Sequence, residues 1–195
     1  MQPLTQSRHR STTSRTRSTR GATLEDLYAI AGKAELVDGE IVEMSPTGGL
    51  PGNASLEIAA SLREHARRTG RGRAVTDNVG FRVDLPQRES FSPDAAYVVG
   101  MEPSMRFYEG APVFAAEVRS VGDYGPAAEE EMAAKRADYF AAGARVVWDV
   151  DLLGEDVVKV YRADAEAPTV YRRGETAEAE PAVPGWRLEV DRLFD

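Results

Sequence analysis

Three charged side chains stand where their chemistry needs an account: Asp94, directly after Pro93 and before the apolar run AAYVVG; Glu117, inside the apolar run PVFAAEVRS; and Lys135, in AAKRADYFAAG. A strand over 113–119 has a side-chain period of two, which sets Ala115, Glu117 and Arg119 on one face and Ala116 and Val118 on the other. An ionised carboxylate among alanines is costly to bury unless something pairs it. Either Glu117 meets solvent or a neighbouring arginine, or it joins Asp94 as a two-carboxylate seat for a hard divalent cation. Lys135 also has two readings. It forms an ordinary i, i+4 surface pair with Glu131, or it reaches Glu117. A helix starting at Pro126 carries Lys135 roughly 13 Å along its axis, and Glu117 lies about 7 Å before its strand's end, so a returning helix brings the two near one level.

Composition narrows the chemistry further. The 195 residues include no cysteine, which removes disulfides, thiolate metal sites and cysteine nucleophiles, and only two histidines, His9 and His65. A bound metal must therefore rely on oxygen ligands, as magnesium, manganese and calcium do. No apolar run is long enough for a membrane span. Residues 1–22 carry five arginines, nine Ser or Thr and no acid, whereas the remainder sets 19 basic residues against 32 acidic ones. The first segment reads as a disordered basic tail, and 23–195 as one domain. The tail shares its composition with organellar transit peptides but lacks the leucines of an amphipathic helix, and no secretory h-region is visible, so a cytoplasmic location is expected.

The elements that must position these side chains are legible in outline. Thr23 and Asp26 suggest a capping box for a short helix. AELVDGEIVEM reads as a hairpin turning at Asp38-Gly39. Asn53 is a candidate cap for a helix to about Thr69, with Leu56, Ala59, Ala60 and Leu62 as its buried stripe. Strands are expected at 73–76, 79–84 and AAYVVG, with a break between Pro86 and Pro93. PVFAAEVRS has the apolar middle of a central strand. Pro126 opens a helix to about Ala142, and RVVWDVD and VVKVYRA follow as paired strands. Short strands are expected around Thr169–Tyr171 and Arg187–Val190. The strand–helix–strand passage implies a right-handed parallel crossover within a single α/β domain.

The blocks ELVDGEIVEMSPTGG, NVGFRV, SPDAAYV, AAEVRS and AAKRADYFAAGARVVWDVD, in this order, resemble the Uma-two family of restriction endonucleases, part of the PD-(D/E)xK nuclease superfamily. The resemblance implies a restriction-endonuclease-like core: a mixed central sheet flanked by helices, with an N-terminal β-hairpin and short C-terminal strands. It also implies Mg²⁺-dependent hydrolysis of phosphodiester bonds in DNA, with Mn²⁺ as an alternative ion. Asp94 and Glu117 match the two motif acids. The family takes its lysine from the following helix, where Lys135 matches. Glu35 matches a recurrent acid of the opening hairpin, as a further ligand or a supporting group. In this scheme Asp94, Glu117 and the backbone carbonyl of Val118 hold the ion, and Lys135 orients water or stabilises the transition state. Arg119 takes the place where the motif lysine usually stands; it is never deprotonated, so it is no base, but it could clamp a phosphate. The histidine that usually follows the SPTGG block is replaced near that place by Pro51.

Two other classes compete. A nuclease fold that has lost catalysis could serve as a nucleic-acid-binding or interaction module, and the acidic body favours that. A plain α/β domain would let the three residues diverge. Arg63, His65, Arg67, Arg68, Arg71 and Arg73 form a basic run, either a solvated helix face or a phosphate contact, with His65 at the surface. Glu129, Glu130 and Glu131 suit a helix start. Trp148 belongs to the core. Dimerisation would be the natural route to double-strand cleavage, although no interface is legible.

Overall fold

The computed structural model describes Arg15–Thr16 and residues 21–195. Most of the basic tail expected over 1–22 lies outside the described residues. Within it, Arg15–Thr16 (β1) pairs with a later strand, and Ala22 donates its N–H to the Gly39 carbonyl at 2.7 Å.

Thr23 and Asp26 form the expected capping box and open α1 (Leu24–Tyr28), which buries Leu27. The hairpin of β2 (Ala34–Val37) and β3 (Glu40–Glu43) turns at Asp38-Gly39, both with positive φ (52° and 69°), as a turn matched to strand twist requires. Helix α2 (Gly49–Thr69) begins four residues before the expected Asn53 cap, with Gly48 as its N-cap. Pro51 falls in the first turn, where no backbone N–H has an intrahelical partner, so it does not delay the helix. The buried stripe is also rotated from expectation. Ala54, Ser55, Ile58, Ala59, Ser61, Leu62 and His65 face inward, Leu56 is 63% exposed and Ala60 is exposed too. Small Ala and Ser side chains let α2 lie close to the sheet, which outweighs the larger Leu56.

The strands after α2 divide between two sheets. One has the order β1-β3-β2-β6-β5-β8 and uses β5 (Phe81–Leu85), β6 (Arg88–Phe91) and β8 (Tyr108–Glu109). β6 lies in the segment expected to be a break. Its sequence RESF hides the strand because Arg88 and Ser90 point into the interior, where polar partners await them. The other sheet runs β12-β11-β10-β9-β7-β4 and contains β4 (Arg73–Thr76), β7 (Ala95–Val98), β9 (Phe114–Val118), β10 (Val146–Val150), β11 (Val158–Arg162) and β12 (Thr169–Tyr171). Here β9 and β10 are parallel across α3 (Pro126–Ala141), and the remaining pairings are antiparallel, so the sheet is mixed and β9 is central. A small hairpin of β13 (Thr176–Glu178) and β14 (Arg187–Glu189) and a closing 3₁₀ turn complete the chain.

The two faces of the mixed sheet have different partners. Phe114, Ala116, Trp148 and Tyr97 pack with Ile58 and Leu62 of α2 and with Trp186 of the C-terminal part. Ala96, Ala115 and Val147 meet Phe81 and Phe91 of the first sheet and Tyr139 of α3. Alternation along β9 therefore puts Glu117 on the second face, between the two sheets and α3. Among the described residues, no helix is long and apolar enough to cross a membrane.

Candidate active site

Four elements deliver charge to one place. β9 contributes Glu117, and the turn into β7 contributes Asp94, whose N–H donates to the Ala116 carbonyl at 3.1 Å. β2 contributes Glu35, and the bend that leads into it contributes Lys33. α3 contributes Lys135 and, one turn on, Asp138 and Tyr139.

Lys135 does not pair with Glu131 along the helix surface. Its Nζ donates to Glu117 Oε2 at 2.9 Å and lies 2.9 Å from Glu35 Oε1. Tyr139 donates its hydroxyl to Glu117 Oε1 at 2.7 Å, and its ring stacks on Phe91 with centroids 4.0 Å apart. Glu35 is almost fully buried; Oε1 accepts the Ser92 N–H at 2.8 Å, and Oε2 accepts Arg88 Nη1 at 2.7 Å. Arg88 also donates through Nε to Asp138 Oδ2 at 2.8 Å, and Gln87 Nε2 donates to Oδ1 at 2.5 Å, which ties β6 to α3. Asp94 receives Lys33 Nζ on Oδ1 at 2.5 Å and the Val118 N–H on Oδ2 at 2.7 Å. The contact made at Val118 is thus through its N–H. Lys33 also reaches Asp77 Oδ1 at 2.7 Å.

The electrostatics separate the two glutamates. Burial raises the pKa of Glu117; Lys135 opposes the rise, but Asp94 and Glu35 add to it, and the carboxyl ends above its ordinary value. Burial acts the same way on Glu35, yet Lys135 and Arg88 outweigh it and hold that carboxyl below its ordinary value. Both lysines stay firmly protonated. Burial disfavours their charge, but Glu117 and Glu35 at Lys135, and Asp94 and Glu117 at Lys33, more than compensate. Tyr139 is pushed well above its ordinary value by burial and by the two glutamates, so its proton stays on the phenol.

The structure therefore brings Asp94, Glu117, Lys135 and Glu35 together. Arg119 does not offer itself to a phosphate. Its fork donates through Nε and Nη2 to Asp149 Oδ1 and Oδ2, each at 2.7 Å, and it also binds the Glu129 carboxylate. Glu129 is thereby an ion-pair partner as well as a helix-start acid. His65 departs from expectation too: it is 5% exposed, beside Tyr97 and Arg68, because the rotated stripe of α2 turns it inward. Trp148 is core, as its strand position suggested.

Lys33, Arg88, Asp138 and Tyr139 were not anticipated. Tyr139 lies four residues after Lys135 on a helix, so the face of one recognised residue points to it, whereas Lys33 stands in the bend before β2, where no strand alternation applies. Arg88 and Asp138 are separated by 50 residues, and no local pattern joins them.

Residues 24–191 match the model of the Uma2 family, described as "Putative restriction endonuclease". The chain belongs to this Uma-two family. Its fold is similar to a crystal structure titled as a putative nuclease belonging to DUF820 from Anabaena variabilis ATCC 29413, with a TM-score of 0.71 and 17% identity. The match covers 88% of this chain and 97% of that one. No curated protein matches the sequence. The Uma-two match spans all four converging residues, and the shared architecture is a nuclease-like α/β fold with mixed sheets.

Proposed function

We propose that the chain is a metal-dependent endonuclease that hydrolyses phosphodiester bonds in DNA, with Asp94, Glu117 and Lys135 at its centre. The observation that carries this reading is the 2.9 Å contact of Lys135 Nζ with Glu117 Oε2, on the strand next to the one that Asp94 precedes.

The donor set suits a hard cation in kind. Asp94 and Glu117 offer carboxylate oxygens on neighbouring strands, and their mutual repulsion is one cause of the raised Glu117 pKa. Among the described residues, no three Asp, Glu or His side chains are arranged to hold an ion together. The proposed seat is accordingly Asp94 and Glu117, completed by backbone, water or substrate oxygens, with Glu35 as a supporting group. Bound there, Mg²⁺ or Mn²⁺ would lower the pKa of a water and neutralise charge on the phosphate. Lys135 remains charged and, as a point charge, stabilises negative charge developing on phosphate oxygens. Tyr139 holds Glu117 Oε1, and Arg88 with the Ser92 N–H holds Glu35, so neither acid can swing away from Lys135. The exposed Arg63, Arg67, Arg71 and Arg73 supply phosphate contacts that the acidic body otherwise lacks, and a second copy would supply the second cut of a duplex.

One observation favours the inactive binding module instead. Every carboxylate oxygen of Asp94, Glu117 and Glu35 already has a protein partner. Plasmid nicking in Mg²⁺ or Mn²⁺ decides between them. The enzyme predicts nicking that chelator stops and that Asp94→Ala and Lys135→Ala abolish. Folded wild-type protein that binds plasmid without nicking it under any divalent ion would favour the module.

A further inference from the structure

Lys33 has no role in the scheme above, yet its ammonium touches one of the two proposed ligands. Nζ lies 2.5 Å from Asp94 Oδ1 and 2.7 Å from Asp77 Oδ1, and the Lys33 side chain is largely shielded from solvent. Asp94 Oδ2 is taken by the Val118 N–H, so Oδ1 is the oxygen left for an incoming cation, and Lys33 holds it. A magnesium-sized ion binds oxygen at about 2.1 Å, and its double positive charge at Oδ1 would repel the ammonium that holds that oxygen. The alternative acceptor is already in contact. Thr76 is the register partner of Ala95, so Asp77 and Asp94 are the next residues along the same antiparallel pair. Asp77 is the more exposed of the two. A change at the end of the Lys33 side chain therefore moves its charge from Asp94 to Asp77 without moving a strand.

We infer that Lys33 is an exchangeable internal counter-ion: it occupies Asp94 until a divalent cation arrives, and Asp77 then retains it. This rests on the metal-binding reading above and adds a residue pair that sets metal affinity. Lys33 is a positioning residue, and Asp77 acts only through it.

The test is a double-mutant cycle of Mn²⁺ affinity by calorimetry on the wild type, Lys33→Met, Asp77→Asn and the double variant, with melting curves showing each is folded. Lys33→Gln replaces the methionine should that variant fail to fold. Removing the competing charge should tighten Mn²⁺ binding by about ten-fold, and Asp77→Asn should weaken it by roughly three-fold. In the Lys33→Met background Asp77→Asn should change nothing, because Asp77 then has no lysine to retain. A simple field effect of the two charges would make the changes additive, and additivity overturns the inference. So does a Lys33→Met protein that binds Mn²⁺ no better than wild type. If neither the wild type nor the Lys33 variant binds Mn²⁺, the metal-binding reading falls, and the inference with it.

Discussion

Glu117 and Asp149 are register partners across β9 and β10, yet they belong to unlike clusters. Asp149 meets the guanidinium of Arg119 in two parallel bonds of 2.7 Å, and Glu129 takes the rest of the fork. Glu117 meets a lysine that it shares with Glu35. The consequences for the acids are opposite. The hydrogen bond from Arg119 lowers the pKa of Glu129, while burial and two neighbouring acids raise that of Glu117. An arginine fork satisfies a carboxylate and fixes it, as a structural clamp requires. A lysine shared between two carboxylates leaves the burial of Glu117 only partly offset. On the proposed function, the contrast gives stability to one cluster and chemistry to its neighbour.

The largest effects should come from the lysine cluster. Glu117→Gln or Lys135→Met should reduce plasmid nicking by about 10³-fold or more, since the first removes a proposed metal ligand and the second the positive charge proposed to face the phosphate, while the melting curve remains cooperative. Arg119→Met should act on the fold. It leaves Asp149 buried and unpaired, so unfolding in urea should show a loss of about 3–5 kcal/mol.

A subtler division concerns pH. The folded pKa of Glu117 is raised, so its favourable contribution to stability is complete below its unfolded pKa and is lost as pH rises through the folded value. Glu35 has the opposite sign; its contribution is present above the ordinary carboxylate range and is lost as pH falls. Urea midpoints should therefore show Glu117→Gln gaining on wild type between acid and neutral pH, and Glu35→Gln falling behind it over the same range. The smallest effect belongs to Glu131→Gln. Lys135 points away from Glu131 into the site, so both nicking and stability should stay within about 0.5 kcal/mol of wild type.

The sequence made the chemistry of this region more legible than its packing. Period-two alternation placed Glu117 on the correct face, and the Uma-two blocks joined it to Asp94, Lys135 and Glu35. The start of α3 followed from Pro126, and the first hairpin from Asp38-Gly39, because those signals are local. β6 was invisible because its inward residues include Arg88, whose partners Glu35 and Asp138 are distant in sequence. The inward face of α2 differs from its apolar stripe for a related reason: small residues make the close contact, leaving Leu56 outside and turning His65 in. Arg119 looked free for phosphate because no local pattern links it to Asp149, 30 residues on.

Catalysis is proposed to reside with Glu117 and its lysine, and not with the arginine clamp beside them. The most direct test is the Mg²⁺-dependent nicking rate per folded molecule of Glu117→Gln and Arg119→Lys, side by side, at a temperature where both are folded. Glu117→Gln should be silent while Arg119→Lys, though less stable, should nick at close to the wild-type rate. Nicking retained by Glu117→Gln and lost by a folded Arg119→Lys would contradict it.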